Sequence, residues 1–180
     1  MPVALNQNRF DTRWYAFNRP ATTAAPRIWR KWLLDRGSLT QHLIHASDGD
    51  FKVNVLRQYW GRPSRMEALA LKISTRQKVL IREVQLLGHN HPWVFARTII
   101  PASTLTGKQR KLHTLGSRSL GSVLFRDPTM KRDPLEISRL QLSDGEIAWA
   151  RRSVFYLSNK PLLVAEVFLP ALQQVNYQHK

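Results

Sequence analysis

The chain has 180 residues, of which 43% are hydrophobic, and it contains no cysteine. That length fits one domain with a real core, and the cysteine count excludes a disulfide framework, a thiolate metal site and a thiol nucleophile. Lys and Arg number 28 against 12 Asp and Glu, a net charge of +16 that raises nucleic acid as a partner. The charge is dispersed with no polybasic tail, however, so a solvated surface, and after it an anionic small molecule, are the better readings. The opening stretch Met1 to Arg9 has no apolar segment of the signal-peptide kind, so a cytoplasmic location is expected.

Residues 1–28 read as an N-terminal arm. Trp14, Tyr15 and Phe17 are placed to pack back on the body, and Pro20 with the Thr22 to Ala25 run reads as a linker. A helix starts at Arg27, with Ile28, Trp32 and Leu33 on one face and Gly37 as its stop. Ser38 caps a second short helix, Leu39 to Ala46. Phe51 to Trp60 alternates as a strand, and Ser64-Arg65-Met66-Glu67 has the spacing of a capping box. Val79 to Leu87 and Trp93 to Ile100 form a hairpin across the turn Gly88 to Pro92. Thr104 to Leu115 and Leu120 to Phe125 read as short helices. Leu135 to Leu142 is a strand, and Ile147 to Leu157 with Leu162 to Leu169 makes another hairpin across Ser158 to Pro161. The pattern is an α+β domain: a mainly antiparallel sheet of about six strands with short helices packed on one face. The main domain spans 29–172, and 173–180 form a C-terminal tail. Pro161 to Leu172, the longest apolar stretch, is interrupted by Glu166 and too short to span a bilayer.

Three charges fall among large apolar residues when side chains are assigned to faces by parity. Arg82 sits with Leu80, Val84 and Leu86. Arg97 sits with Trp93, Phe95 and Ile99. Glu166 sits with Leu162, Val164 and Phe168. A buried charge needs a partner, so these three make either a structural ion pair or a ligand site. Two guanidiniums and one carboxylate suit a dicarboxylate carrying a hydroxyl or ether oxygen. The His89-Asn90-His91 run reads as a plain turn. His42 and His45 share a helix face but have no visible third ligand for a metal.

The segments Leu80-Ile81-Arg82-Glu83-Val84, Pro92-Trp93-Val94-Phe95-Ala96-Arg97-Thr98-Ile99-Ile100-Pro101 and Asn159-Lys160-Pro161-Leu162-Leu163-Val164-Ala165-Glu166-Val167-Phe168-Leu169-Pro170 resemble the chorismate lyase family. So do Ser103-Thr104-Leu105, Leu115-Gly116, and Leu120-Gly121 with Leu124-Phe125. The likeness runs from about Trp29 to Ala171 in an ordered series. It implies elimination of pyruvate from chorismate to give 4-hydroxybenzoate for ubiquinone biosynthesis. It also implies a monomer, helical flaps over an internal site, and no metal or organic cofactor. The family's essential carboxylate falls on Glu166 and its ligand-contacting arginine on Arg82. A second cavity arginine falls on Arg97, and two main-chain contacts fall on Leu39 and Leu120. The resemblance departs from the family before Trp29, between Gly61 and Lys78, and at Leu39, where a methionine is the expected residue. The same fold serves as the ligand-binding domain of transcription regulators, but residues 1–28 are too few for the DNA-binding domain that would precede it.

Overall fold

The computed structural model describes Leu5 and residues 9–16 and 25–178. Phe17 and, of the linker expected from Pro20 to Ala25, all but Ala25 lie outside the described residues. Among the described residues eight strands form one antiparallel sheet: β1 (Tyr15–Ala16), β2 (Phe51–Gly61), β3 (Val79–Gly88), β4 (His91–Pro101), β5 (Lys131–Arg132), β6 (Glu136–Gln141), β7 (Ile147–Leu157) and β8 (Lys160–Phe168). Their order is β1-β6-β7-β8-β4-β3-β2, with β5 also paired to β7. The six long strands are those expected from the sequence; β1 and β5 are two-residue additions.

Both hairpins are tighter than expected. His89 and Asn90 alone join β3 to β4, and Ser158 and Asn159 alone join β7 to β8; in each pair φ is 49° and 63°. Two left-handed residues match the twist of the flanking strands, and asparagine tolerates that conformation better than most residues.

Four α-helices among the described residues pack on the sheet: α1 (Arg27–Leu33), α2 (Leu39–Ala46), α3 (Arg65–Leu71) and α4 (Leu120–Leu124). The stretch expected as a helix from Thr104 to Leu115 is 3-10 turns, Ala102–Thr104 and Gly107–Thr114. The helices do not keep to one face. Trp29, Trp32, Leu33, Leu39 and Leu43 of α1 and α2 pack with Val84, Leu86, Trp93 and Phe168. Leu112, Leu115 and Leu124 cover Leu80, Ile100 and Val164 on that same face. On the other face Leu71 of α3 packs with Val79, Ile81, Ile99 and Leu163. Beside it Leu5, Phe10 and Trp14 of the arm pack with Phe95, Leu140 and Val167. The capping box forms: Glu67 N–H donates to Ser64 Oγ at 3.2 Å and Ser64 N–H to Glu67 Oε2 at 2.8 Å. Such a cap contributes about 1 kcal/mol, enough to start a helix of two turns.

Two bulges decide which charges face which way. Strand β2 pairs with β3 through Val55↔Val84 and then Arg57↔Glu83, skipping Leu56. Strand β4 pairs with β3 through Leu87↔Pro92 and then Leu86↔Val94, skipping Trp93. A one-residue skip moves all later side chains to the opposite face. Without the skips, Arg82 would lie between Arg57 and Arg97, and Glu83 between Leu56 and Ala96. With them, Glu83 lies between Arg57 and Arg97, and Arg82 lies beside Thr98.

Candidate active site

One face of the sheet, the flaps and β5 line a pocket with about 580 Å³ of space, part of it open to solvent. Its floor is Arg82, Val84 and Leu86 of β3, Ala96 and Thr98 of β4, Val164 and Glu166 of β8, and Arg151 and Phe155 of β7. Its cover is Gly37, Leu39 and Thr40 on one side and Ser119 to Gly121, Leu124 and Phe125 on the other. The two halves of the cover meet where Thr40 Oγ1 and Ser119 Oγ lie 2.5 Å apart. Gly121 permits this approach, since a Cβ there would come within 2.6 Å of Thr40 Oγ1. Leu39 and Leu120 are the first residues of α2 and α4, so their N–H groups lack intrahelical acceptors.

Register arranges the polar groups at two ends. Arg82, Thr98, Val164 and Ser153 are successive cross-strand neighbours. Three interstrand spacings, about 14 Å, thus separate the backbones of Arg82 and Ser153. At the Arg82 end, Nη2 donates to the carbonyls of Gly116 at 2.8 Å and Arg118 at 3.2 Å, and Nη1 to Gln58 Oε1 at 3.4 Å. No carboxylate pairs with it among the described residues. Burial pulls its pKa below the usual arginine value.

At the other end, Arg151 Nε donates to Glu166 Oε2 at 2.5 Å. These two are directly opposed across β7 and β8. Arg151 Nη1 also holds the carbonyls of Trp32 at 2.9 Å and Asp35 at 2.6 Å. Arg132 lies beside this pair: Nε donates to Ser153 Oγ at 2.9 Å and Nη1 to the carbonyl of Arg36 at 3.2 Å. Its pKa is lowered to about 10, first by burial and then by the nearby Arg151 cation.

The sequence-predicted residues Arg82, Glu166, Leu39 and Leu120 come together around this cavity. Arg97 does not. It lies on the opposite face, fully buried, with Nε 2.7 Å from Glu67 Oε1 and Nη1 2.6 Å from Glu83 Oε1. The physical reason is the bulge at Trp93, which turns Arg97 away from Arg82. Two cavity arginines escape the parity reading. Arg151 is recoverable from a two-residue turn at Ser158 and Asn159, which places 151 opposite 166. Arg132 lies in a stretch without periodicity that no strand pattern marks. His42 is bound to Asp35 Oδ1 at 2.9 Å and to Tyr177 Oη at 3.0 Å. His91 Nδ1 lies 2.8 Å from the carbonyl of His89 in the turn. No group of three metal-ligating side chains occurs among the described residues.

The charged lining is three guanidiniums and one carboxylate, an excess of +2. A cavity of this kind, in an antiparallel α+β fold, suits a small dianion. Solved structures carry the same fold. The ligand-binding domain of a GntR-family transcriptional regulator from Bordetella bronchiseptica is similar at a TM-score of 0.54, with 16% identity over 73% of this chain and 91% of that one. The C-terminal domain of the histidine utilization repressor from Pseudomonas syringae is similar at 0.54, with 11% identity over 72% and 99%. The sequence goes further, since the family profile described as chorismate lyase matches residues 16–177. A probable chorismate pyruvate-lyase from Psychromonas ingrahamii is 42% identical over 95% of this chain and 97% of its own length. One from Methylococcus capsulatus is 39% identical over 80% and 96%. The chain belongs to the chorismate lyase family.

Proposed function

We propose that this chain is a carbon–oxygen lyase that converts chorismate into 4-hydroxybenzoate and pyruvate, as the first step toward the ubiquinone ring. The observation that carries this reading is the cavity's excess of two positive charges beside a fixed carboxylate, which matches a dianion bearing a hydroxyl. Family membership over residues 16–177 supports the same reaction. Among the described residues no helix is long and apolar enough to cross a membrane. A cytoplasmic monomer is the setting we propose for it.

Arg82 takes the ring carboxylate, and the N–H groups of Leu39 and Leu120 add donors from the cover. Glu166, held by Arg151, is an acceptor for the ring hydroxyl para to that carboxylate. The bond from the neighbouring ring carbon to the enolpyruvyl oxygen then breaks, with its electron pair leaving on oxygen. The C–H bond at the hydroxyl-bearing carbon supplies the electrons of the new ring double bond. The proton lost there equals the one gained by the enolpyruvyl methylene, so no co-reactant is consumed. Aromatisation supplies the driving force, and the protein supplies position and a preorganised field.

Incubation with chorismate, assaying both 4-hydroxybenzoate and pyruvate, tests this. Equal amounts of the two are expected; the absence of both would leave a binding domain and overturn the reading. The product is mostly apolar and lies under a closed cover, so its release limits turnover. Added 4-hydroxybenzoate therefore inhibits.

A further inference from the structure

We propose that Arg132 binds the second carboxylate of the substrate, the one on the enolpyruvyl arm. This deepens the chorismate reading above and rests on it.

The cavity has three guanidiniums, and two already have work. Arg82 stands alone at one end. Arg151 spends Nε on Glu166 and Nη1 on the carbonyls of Trp32 and Asp35. Arg132 uses Nε and Nη1 on neutral acceptors, Ser153 Oγ and the carbonyl of Arg36, and no carboxylate pairs with it among the described residues. Nη2 has no acceptor among them. A cation taken out of water with no carboxylate in hydrogen-bond contact is costly, and a ligand anion would offset that cost.

Position then selects which carboxylate it meets. Arg132 and Arg151 hold the consecutive carbonyls of Arg36 and Asp35, so the two guanidiniums flank one short stretch of chain. Glu166 acts on Arg132 through its charge, which puts Arg132 at the Glu166 end of the cavity. In chorismate the enolpyruvyl ether leaves the ring from the carbon next to the hydroxyl carbon. A hydroxyl at Glu166 therefore carries the second carboxylate toward Arg132 and away from Arg82. The guanidinium is also preorganised, because it lies over the Phe155 ring with its centre 4.8 Å from the ring centroid. A planar fork fixed on a ring suits a carboxylate better than a flexible ammonium would.

The product provides the test, because 4-hydroxybenzoate has lost this arm. Chorismate kinetics and 4-hydroxybenzoate binding by calorimetry are measured for Arg132→Ala, Arg132→Lys and Arg82→Ala. Arg132→Ala is expected to raise KM for chorismate about ten- to a hundredfold, the scale of a lost charge-assisted hydrogen bond. Its affinity for 4-hydroxybenzoate stays within about twofold of the parent by the same reasoning. Arg132→Lys falls between the two in KM, again with unchanged product affinity, and serves if the alanine variant does not fold. Equal losses for substrate and product, or no change in either, would overturn the proposal. Arg82→Ala reports on the underlying reading. If it keeps full affinity for 4-hydroxybenzoate, the assignment of the ring carboxylate fails, whatever Arg132 does.

Discussion

The two faces of one sheet hold arginines in different company. On the face away from the cavity, Arg57, Arg97 and Arg152 meet Glu67, Glu83 and Glu136, three charges against three. On the cavity face, among the described residues, the lining sets Arg82, Arg132 and Arg151 against the carboxylate of Glu166. The first set is complete without a ligand; it ties β2, β3, β4 and α3 together, and β6 to β7. The second set is short of two negative charges. A buried arginine is thus not by itself a sign of a site. The charge balance of its face is.

The largest effects expected from this contrast are on turnover. Glu166→Gln and Arg82→Ala are each expected to lower kcat/KM by about 10²–10⁴-fold. Pyruvate release at near-parental rates by either variant would remove these residues from the chemistry.

Arg97→Leu breaks the balanced face instead. It leaves Glu67 buried without its cation, at a cost of about 3–5 kcal/mol. For a chain of this size the melting temperature falls by roughly 6–20 °C. KM for chorismate in the fraction that stays folded is unchanged. A normal melting temperature with a raised KM would put Arg97 back in the site.

A smaller effect comes from pH. Arg132 is protonated at neutral pH and loses its proton as pH rises through about 10. Binding of a dianion favours the protonated form, so KM for chorismate rises through that range. Stability of the ligand-free protein moves the other way. The folded pKa is below the unfolded one, so between about 10 and the ordinary arginine value the unfolded chain holds more protons. This group's contribution to stability therefore improves with pH across that window. Arg132→Ala should flatten the KM profile, which steady-state kinetics from pH 7 to 10.5 would check.

The smallest expected effect is at the cover. Thr40→Ala removes the contact with Ser119 that joins its two halves. One lost hydrogen bond is worth about 1 kcal/mol, or roughly fivefold in an opening equilibrium. Product inhibition should weaken by that factor, and unchanged inhibition would show that the contact does not hold the cover shut.

Much of this molecule was legible in its residues. Six alternating stretches became six long strands, and Ser64 with Glu67 formed the expected cap. Arg82 and Glu166 stood out because a charge in an apolar row demands an account. Arg97 stood out for the same reason but belongs to the other face, because parity within a strand says nothing of register between strands. The skipped Trp93 sets that register. Its ring lies over Gly88, where a Cβ would come within 2.1 Å of it. Arg132 was illegible for a different reason. Its strand has two residues, and its role depends on which carbonyls and hydroxyls surround it in three dimensions.

The skips at Leu56 and Trp93 also bear on how this chain can change over generations. Losing one residue from a surface loop usually trims the loop. Losing one from either skip would act like a frameshift in the alternation of the strand. It would swing Arg57 or Arg97 to the side of Arg82 and leave Glu83 beside an apolar neighbour. Substitutions in this hairpin can accumulate one at a time, but its length is held fixed by the charges on both sides of the sheet at once.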